Sequence, residues 1–140
     1  AHMTGGQAVV QTLRSEGVDL VFGIISIHML PIYDALYAEP AIRLIVPRHE
    51  MAGGFMADGY SRVSVKPGVY LTSTGPGAAN SAGAVLEAYT SSRRTLQLTG
   101  QIDTTSFRGL AGTGATFEIR PGPKPQRPSR AVARRVFRSR

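Results

Sequence analysis

The chain has no cysteine among its 140 residues, which excludes disulfide bonds and thiolate metal sites but leaves the cellular compartment open. No apolar run approaches the length that crosses a bilayer, and the start lacks the pattern of a secretory signal. We therefore expect a cytoplasmic protein without membrane contact. Hydrophobic residues form 42% of the sequence and the mean hydropathy is −0.04. These values suit one globular domain with a single core.

Acidic residues are absent from the last part of the chain. Residues 120–140 carry seven arginines and one lysine with no acid, whereas residues 1–119 carry eight basic and nine acidic side chains, so the net charge of +7 resides in the tail. The tail also has four prolines and few large apolar residues, so we expect it to be disordered. Any binding of nucleic acid or another anionic surface by this tail would be non-specific. Residues 1–3 are interpreted as a cloning remnant.

Between these ends, helical and short apolar segments alternate. The pattern predicts helices at residues 4–16, 30–37, 50–61 and 78–91, and strands at residues 19–23, 43–47, 68–72 and 95–99. Continuously apolar strands that alternate with helices indicate an α/β fold: a parallel sheet with helices on both faces, a three-layer sandwich. Within the third helix we expect three large apolar side chains to pack against the sheet: Met51, Phe55 and Met56.

Two strand-to-helix turns carry the candidate chemistry. Glu50 follows the second predicted strand, and the sequence Gly75-Pro76-Gly77 follows the third. Ligands of open α/β sheets bind beyond the carboxyl ends of the strands, where both turns lie. Taken alone, Glu50 could simply stabilise a helix N-terminus, and the glycines could form an ordinary turn. A dinucleotide-binding fingerprint is discounted, because Asn80 stands where its third glycine belongs.

Five segments in order carry a family resemblance. Residues 4–108 resemble the N-terminal, pyrimidine-binding domain of thiamine diphosphate enzymes of the acetolactate synthase, pyruvate oxidase and benzoylformate decarboxylase type, and we expect this domain to cover residues 4–119. The segments that match are residues 17–23, 30–36, 48–62, 72–80 and 98–102.

The resemblance implies a cofactor, thiamine diphosphate, and roles for particular residues. It makes Glu50 the catalytic group, whose carboxyl group hydrogen-bonds a ring nitrogen of the aminopyrimidine and thereby promotes removal of the thiazolium proton. The pyrimidine half of the cofactor would lie against four further residues: Ser73, Gly75, Pro76 and Asn80. Gln101 would face the active site, although a polar cap at a strand end is nearly as good a reading. The resemblance implies that the complete enzyme decarboxylates 2-keto acids and passes the product to an acceptor.

The chain also departs from the family pattern. Residues 25–27 are Ile-Ser-Ile where many relatives have Pro-Gly-Gly, which makes His28 a candidate substrate-side residue. The Gly-Asp-Gly motif that binds diphosphate and magnesium in a separate domain is absent, and residues 57–59 (Ala-Asp-Gly) lie within a predicted helix. We expect no metal site here, with magnesium bound only in the missing domain. The Arg- and Pro-rich tail is interpreted as a truncated or frameshifted continuation after about residue 120.

Two functional interpretations remain open at this point. In the first, the chain is half of a thiamine diphosphate site, with little activity alone, and works as a homodimer or with a complementing diphosphate-binding chain. In the second, it is a non-catalytic dimerisation module or a truncated remnant.

Overall fold

The protein was analysed as a computed structural model that describes residues 2–101. The expected disordered tail (residues 120–140) and the end of the expected domain (residues 102–119) lie outside the described residues. Ten elements follow one another along the described part: α1 (Gly5–Ser15), β1 (Leu20–Gly23), a 3-10 turn (Ile27–Met29), α2 (Leu30–Tyr37), β2 (Arg43–Ile45), α3 (Glu50–Ser64), β3 (Gly68–Thr72), α4 (Pro76–Asn80), α5 (Ala82–Thr90) and β4 (Thr95–Thr99).

The first helix shows how local sequence sets the bounds of these elements. Thr4 and Gln7 form a reciprocal capping box at its start. At its end Gly17, with φ +78°, donates to the carbonyl of Arg14 while Val18 donates to that of Leu13. This is the hydrogen-bond pattern of a glycine-terminated helix. The expected helix end at Gly17 is therefore confirmed.

The four strands form one parallel sheet in the order β2-β1-β3-β4. Helices α1 and α2 cover one face, where Val10, Leu13 and Leu36 pack on Val21 and Leu71. Helices α3 and α5 cover the other face, above Phe22 and Tyr70. The predicted α/β class with helices on both faces is therefore confirmed. The order in which strands are added to the sheet reverses here, because β2 lies on one side of β1 whereas β3 and β4 lie on the other. Open α/β sheets bind ligands at such a point, here between β1 and β3.

The prediction of one helix over residues 78–91 is wrong. The chain instead forms the short helix α4 and the longer helix α5, separated by Ser81, which is fully buried and has φ −95° and ψ 0°. Three other predicted elements, residues 30–37, 68–72 and 95–99, have the bounds that the structure gives. The 3-10 turn before α2 was not predicted. Within residues 2–101, no helix has both the length and the apolar character that crossing a membrane requires.

Candidate functional site

The structure brings the two candidate turns together. Glu50 is the first residue of α3, and Asn80 is the last residue of α4. The side-chain amide of Asn80 donates from Nδ2 to Oε2 of Glu50 over 3.2 Å. The Glu50 side chain is half-buried. The carboxylate therefore lies beside the glycine-rich turn, with one of its two oxygens already held.

Gly77 packs closely against the other carboxylate oxygen. A Cβ atom at this position would lie 3.1 Å from Oε1 of Glu50 and 2.8 Å from Cβ of Ser73, both closer than ordinary van der Waals contact. Among the residues that the structure describes, no group donates a hydrogen bond to Oε1. The site thus holds a carboxylate with one oxygen hydrogen-bonded to Asn80 and one oxygen that can accept a hydrogen bond from another donor.

Gly75 and Pro76 form the bend that begins α4. Gly75 has φ +52° and ψ −109°, a conformation that residues with a Cβ atom rarely adopt. Pro76 then occupies the first turn of α4, where its missing N–H removes no helical hydrogen bond. Gly75 and Pro76 therefore shape the backbone path that carries the chain past Glu50.

The carbonyl of Ser73 links this turn to the end of β4, because it accepts a hydrogen bond of 2.9 Å from the Thr99 hydroxyl. Past Thr99, Gly100 packs against the 3-10 turn: a Cβ atom there would lie 2.8 Å from Cβ of His28. His28 and Gln101, both exposed, therefore occupy the same edge of the sheet. Within residues 2–101, no hydrogen bond joins His28 to Glu50. These two candidates lie near the end of β4, which the Thr99–Ser73 hydrogen bond links to the glycine turn.

A buried polar cluster below the glycine turn was missed at the level of sequence. Gln97 in β4 accepts from the hydroxyl of Tyr70 over 3.1 Å, and its Nε2 donates to Thr72 over 3.0 Å and to Ser81 over 2.9 Å. Burial raises the pKa of Tyr70 to about 12. The available signal was a glutamine between two leucines of an apolar strand, because a half-buried amide is normally hydrogen-bonded.

The charged groups of α3 hold helices together. Asp58, which is 4% exposed, accepts from Nε of Arg62 over 2.7 Å, and Arg62 also contacts Glu87 of α5 over 2.9 Å. Hydrogen bonds from Ser91 and then Arg62 lower the pKa of Glu87. Residues 57–59 lie inside α3, as expected, so they form no diphosphate-binding turn. No cluster of three potential metal ligands occurs within residues 2–101.

The expectation that three large side chains of α3 pack on the sheet is wrong. Met51, Phe55 and Met56 are 39%, 45% and 44% exposed. The helix contacts the sheet and α5 through small residues instead: a Cβ atom on Gly54 would lie 2.6 Å from that of Ala84. Met51 lies beside Gly83, since a Cβ atom there would be 3.3 Å from its sulfur. Together with Leu86, which is 62% exposed, Met51 and Phe55 form what we call the outer apolar face.

An acidic side chain beside a glycine turn at the carboxyl edge of a parallel sheet is an arrangement typical of ligand-binding α/β domains. The family described as "Thiamine pyrophosphate enzyme, N-terminal TPP binding domain" matches residues 3–119. The chain belongs to this family, whose cofactor is thiamine diphosphate.

Three relatives illustrate the range of the similarity. The chain is 51% identical over 90 residues to the "Probable 2-ketoarginine decarboxylase AruI" of Pseudomonas aeruginosa, covering 64% of this chain and 16% of that protein. It is 44% identical over 100 residues to the acetolactate synthase large subunit of Haemophilus influenzae, covering 71% and 18%. It is 39% identical over 117 residues to the acetolactate synthase of Mycobacterium bovis, covering 84% and 18%. The chain thus spans less than a fifth of each relative.

Proposed function

We propose that the Glu50 turn binds the pyrimidine half of thiamine diphosphate in an enzyme that acts on 2-keto acids. One observation carries the proposal: the Glu50 carboxylate lies against Gly77, with Oε2 held by Asn80. The names of the relatives, acetolactate synthases and a 2-ketoarginine decarboxylase, support the substrate class and the two reaction types, decarboxylation and carboligation.

The residues of the turn fit the cofactor family. The oxygen Oε1 of Glu50 can share a proton with a ring nitrogen, while the missing side chain at Gly77 lets the turn lie close against this carboxylate. The backbone of Gly75 and Pro76, with Ser73, would form a wall of the pyrimidine site, and the amide of Asn80 would keep the carboxylate oriented. When bound, the cofactor supplies carbanion chemistry at the keto carbon of the substrate. Through Oε1, Glu50 would share the proton on which cofactor activation depends.

Calorimetric titration with thiamine and with thiamine diphosphate tests this assignment. Glu50→Gln should weaken the binding of both severalfold, because the pyrimidine is common to both and the amide can neither hold a negative charge nor share its proton in the same way. The matched control is Glu16→Gln, a glutamate at the end of α1 that is exposed and remote from the turn. Equal binding by Glu50→Gln and the unaltered chain would contradict the proposal.

We propose that this chain supplies only the pyrimidine half of the site, and that magnesium and the diphosphate bind to another domain or a complementing chain. Pure protein should therefore show no appreciable consumption of pyruvate or 2-ketoarginine. Robust turnover of either keto acid by the 140-residue chain alone would refute this. In a complemented enzyme, His28→Ala and Gln101→Ala should raise the KM for the keto acid if these residues lie on the substrate side.

We propose that the outer apolar face is covered by a second copy of the chain or by a complementing chain. Large apolar side chains grouped at a surface between two helices favour burial against a partner. Analytical ultracentrifugation should detect a homodimer that Leu86→Lys dissociates. Val63→Lys is the control. Val63 is also an exposed apolar residue, 83% accessible, but it lies about a third of a turn from Met51 around α3. A monomer at all concentrations would leave the complementing chain as the occupant.

The same exposed face favours a second candidate function, a non-catalytic dimerisation module. The two candidates differ in one result: a dimerisation module keeps its assembly in Glu50→Gln and binds neither thiamine nor thiamine diphosphate. Three expectations remain predictions: a domain over residues 4–119, a cytoplasmic location, and non-specific nucleic-acid binding by residues 120–140. Limited proteolysis would test the domain bounds, and cell fractionation would test the location. Salt-dependent binding of nucleic acid, compared with that of a chain without residues 120–140, would test the tail.

A further inference from the structure

We infer that Ser81 and Gln97 are positioning residues for the proposed site, because they fix the helix break that aims Asn80 at the Glu50 carboxylate. This inference rests on the proposed function for its catalytic meaning. Its structural content concerns only residues of this chain.

Asn80 lies at the end of a very short helix. Helix α4 has five residues, and α5 begins two residues after Asn80. In a single continuous helix, the axis of α5 would also set the direction of the Asn80 side chain. Ser81, with φ −95° and ψ 0°, separates α4 from α5, and the amide of Asn80 reaches Oε2 of Glu50. The contact in the site therefore depends on the break.

Two hydrogen bonds of the Ser81 hydroxyl hold the break between α4 and α5. The hydroxyl of Ser81 donates to the carbonyl of Ala78 over 2.8 Å, inside α4, and accepts from Nε2 of Gln97 over 2.9 Å. Ser81 is completely buried, so its hydroxyl cannot exchange these partners for water. The bend is thus tied to a strand of the sheet and not to neighbouring helix residues alone.

Gln97 is in turn held by residues of β3. It stands opposite Tyr70 in the register of β4 with β3, accepts from the Tyr70 hydroxyl, and donates to Thr72 as well as to Ser81. Both Tyr70 and Thr72 are buried. With its amide oxygen and nitrogen both engaged, Gln97 has one orientation, and this orientation presents a donor to Ser81. The chain of contacts runs from the sheet through Gln97, Ser81 and Asn80 to Glu50.

Nuclear magnetic resonance of the 140-residue chain can follow the last contact without any cofactor. During an acid titration, the side-chain amide signals of Asn80 should move together with the carboxyl carbon of Glu50, and Glu50→Gln should abolish this movement. Ser81→Ala and Gln97→Leu should each cause its loss, although Glu50 and Asn80 are unchanged. A Ser81→Ala chain that keeps the full coupled movement would overturn the inference.

A matched control separates positioning from the simple loss of a serine hydroxyl. Ser61 in α3 is buried and donates to the carbonyl three residues earlier over 2.8 Å, as Ser81 does. Ser61→Ala should therefore leave the coupling of Asn80 and Glu50 intact, and an equal loss in Ser61→Ala would also overturn the inference. Should Ser81→Ala fail to fold, the double variant Ser81→Ala, Gln97→Leu removes both partners of this hydrogen bond together. It must show the same loss.

Binding and coupling are independent measurements, so the two proposals can fail separately. A chain that binds neither thiamine nor thiamine diphosphate but shows the coupling, and its loss in Ser81→Ala, would defeat only the proposed function. A chain that binds thiamine through Glu50 and retains the coupling in Ser81→Ala would defeat only the positioning role. In a complemented enzyme, Ser81→Ala should lower kcat with little change in KM, since it disturbs Glu50 and not the substrate-side residues.

Discussion

Substitution of Gly77 by alanine probes the geometry on which the proposed site depends. The added methyl group would meet Cβ of Ser73 at 2.8 Å and Oε1 of Glu50 at 3.1 Å, whereas comfortable contacts between such atoms begin near 3.5 Å. Cβ of Ser73 is attached to a backbone that is anchored by its carbonyl to Thr99, and the Glu50 carboxylate, although it ends a side chain, is held by Asn80. The methyl group should therefore displace the carboxylate or shift the turn.

The size of the effect follows from two opposing contributions. Forcing a methyl group into a packed site costs about 1–3 kcal/mol. Replacing glycine by alanine in a helix restores about 0.5–1 kcal/mol through the lower entropy of the unfolded chain. Gly77→Ala should therefore lower the free energy of unfolding by about 1 kcal/mol, within limits of roughly 0 and 2.5 kcal/mol. The same variant should shift the carboxyl-carbon resonance of Glu50 and the side-chain amide resonances of Asn80.

Gly59→Ala is the matched control in the same fold. Gly59 lies in the middle of α3 and is exposed, and a Cβ atom there would have no neighbour within 4 Å. Only the entropic contribution remains, so Gly59→Ala should raise the free energy of unfolding by about 0.5–1 kcal/mol. Chemical denaturation followed by circular dichroism measures both variants. If Gly77→Ala were stabilising to the same degree, Glu50 could not lie where the structure places it, and the proposed site would lose its physical basis.

Three further predictions concern the scaffold. Gly6→Ala places a Cβ atom 2.0 Å from a backbone carbonyl oxygen of α2 and should destabilise the fold by about 3 kcal/mol, whereas Gly5→Ala, with open space, should stabilise it slightly; equal effects in denaturation would disprove the close approach of α1 and α2. Val65 has φ +62° and is exposed, so Val65→Gly should raise the free energy of unfolding by about 1 kcal/mol, and a lower melting temperature would argue against this conformation. Burial raises the pKa of both Tyr33 and Tyr70 to about 12, above the ordinary value of 10.0 that they regain on unfolding. Folded stability should therefore be complete below pH 10 and fall between pH 10 and 12, by about 3 kcal/mol per tyrosine; spectrophotometric titration that finds both ionising near pH 10 in the folded chain would contradict this.

Much of the fold could be predicted because the strands are short apolar runs with clear ends. Gly68–Thr72 and Thr95–Thr99 have the bounds that the sequence predicts. In each case the apolar run follows a turn and gives way to polar or glycine-rich residues. Parallel pairing follows from the helix between successive strands, since a parallel connection needs a crossover. The position of both turns at one edge of the sheet was therefore predictable, and with it the neighbourhood of Glu50.

The packing of α3 could not be predicted from the size of its side chains. A pattern of Met51, Phe55 and Met56 suggests a core-facing stripe, yet the buried positions are small: Gly53, Gly54 and Ala57. Small residues permit the backbone to approach α5 and the ring of Tyr70, which a Cβ atom on Gly54 would meet at 3.3 Å. Close backbone packing thus displaces the large residues outward. The outer apolar face follows directly from this choice, because a helix cannot bury both sides against a single layer.

The break at Ser81 has only a weak local signal in Asn80, Ser81 and Gly83, because its main cause lies elsewhere in the chain. Residues 78–88 are mostly alanine and other helix formers, which local propensity would join into one helix. The partner that stabilises the break, Gln97, lies 16 residues further along the chain and reaches Ser81 only when β4 pairs with β3. The direction of Asn80, and with it the orientation of the Glu50 carboxylate, is therefore a property of the assembled sheet. A sequence can place an acid at the right turn, but the hydrogen bond that orients this acid requires the fold.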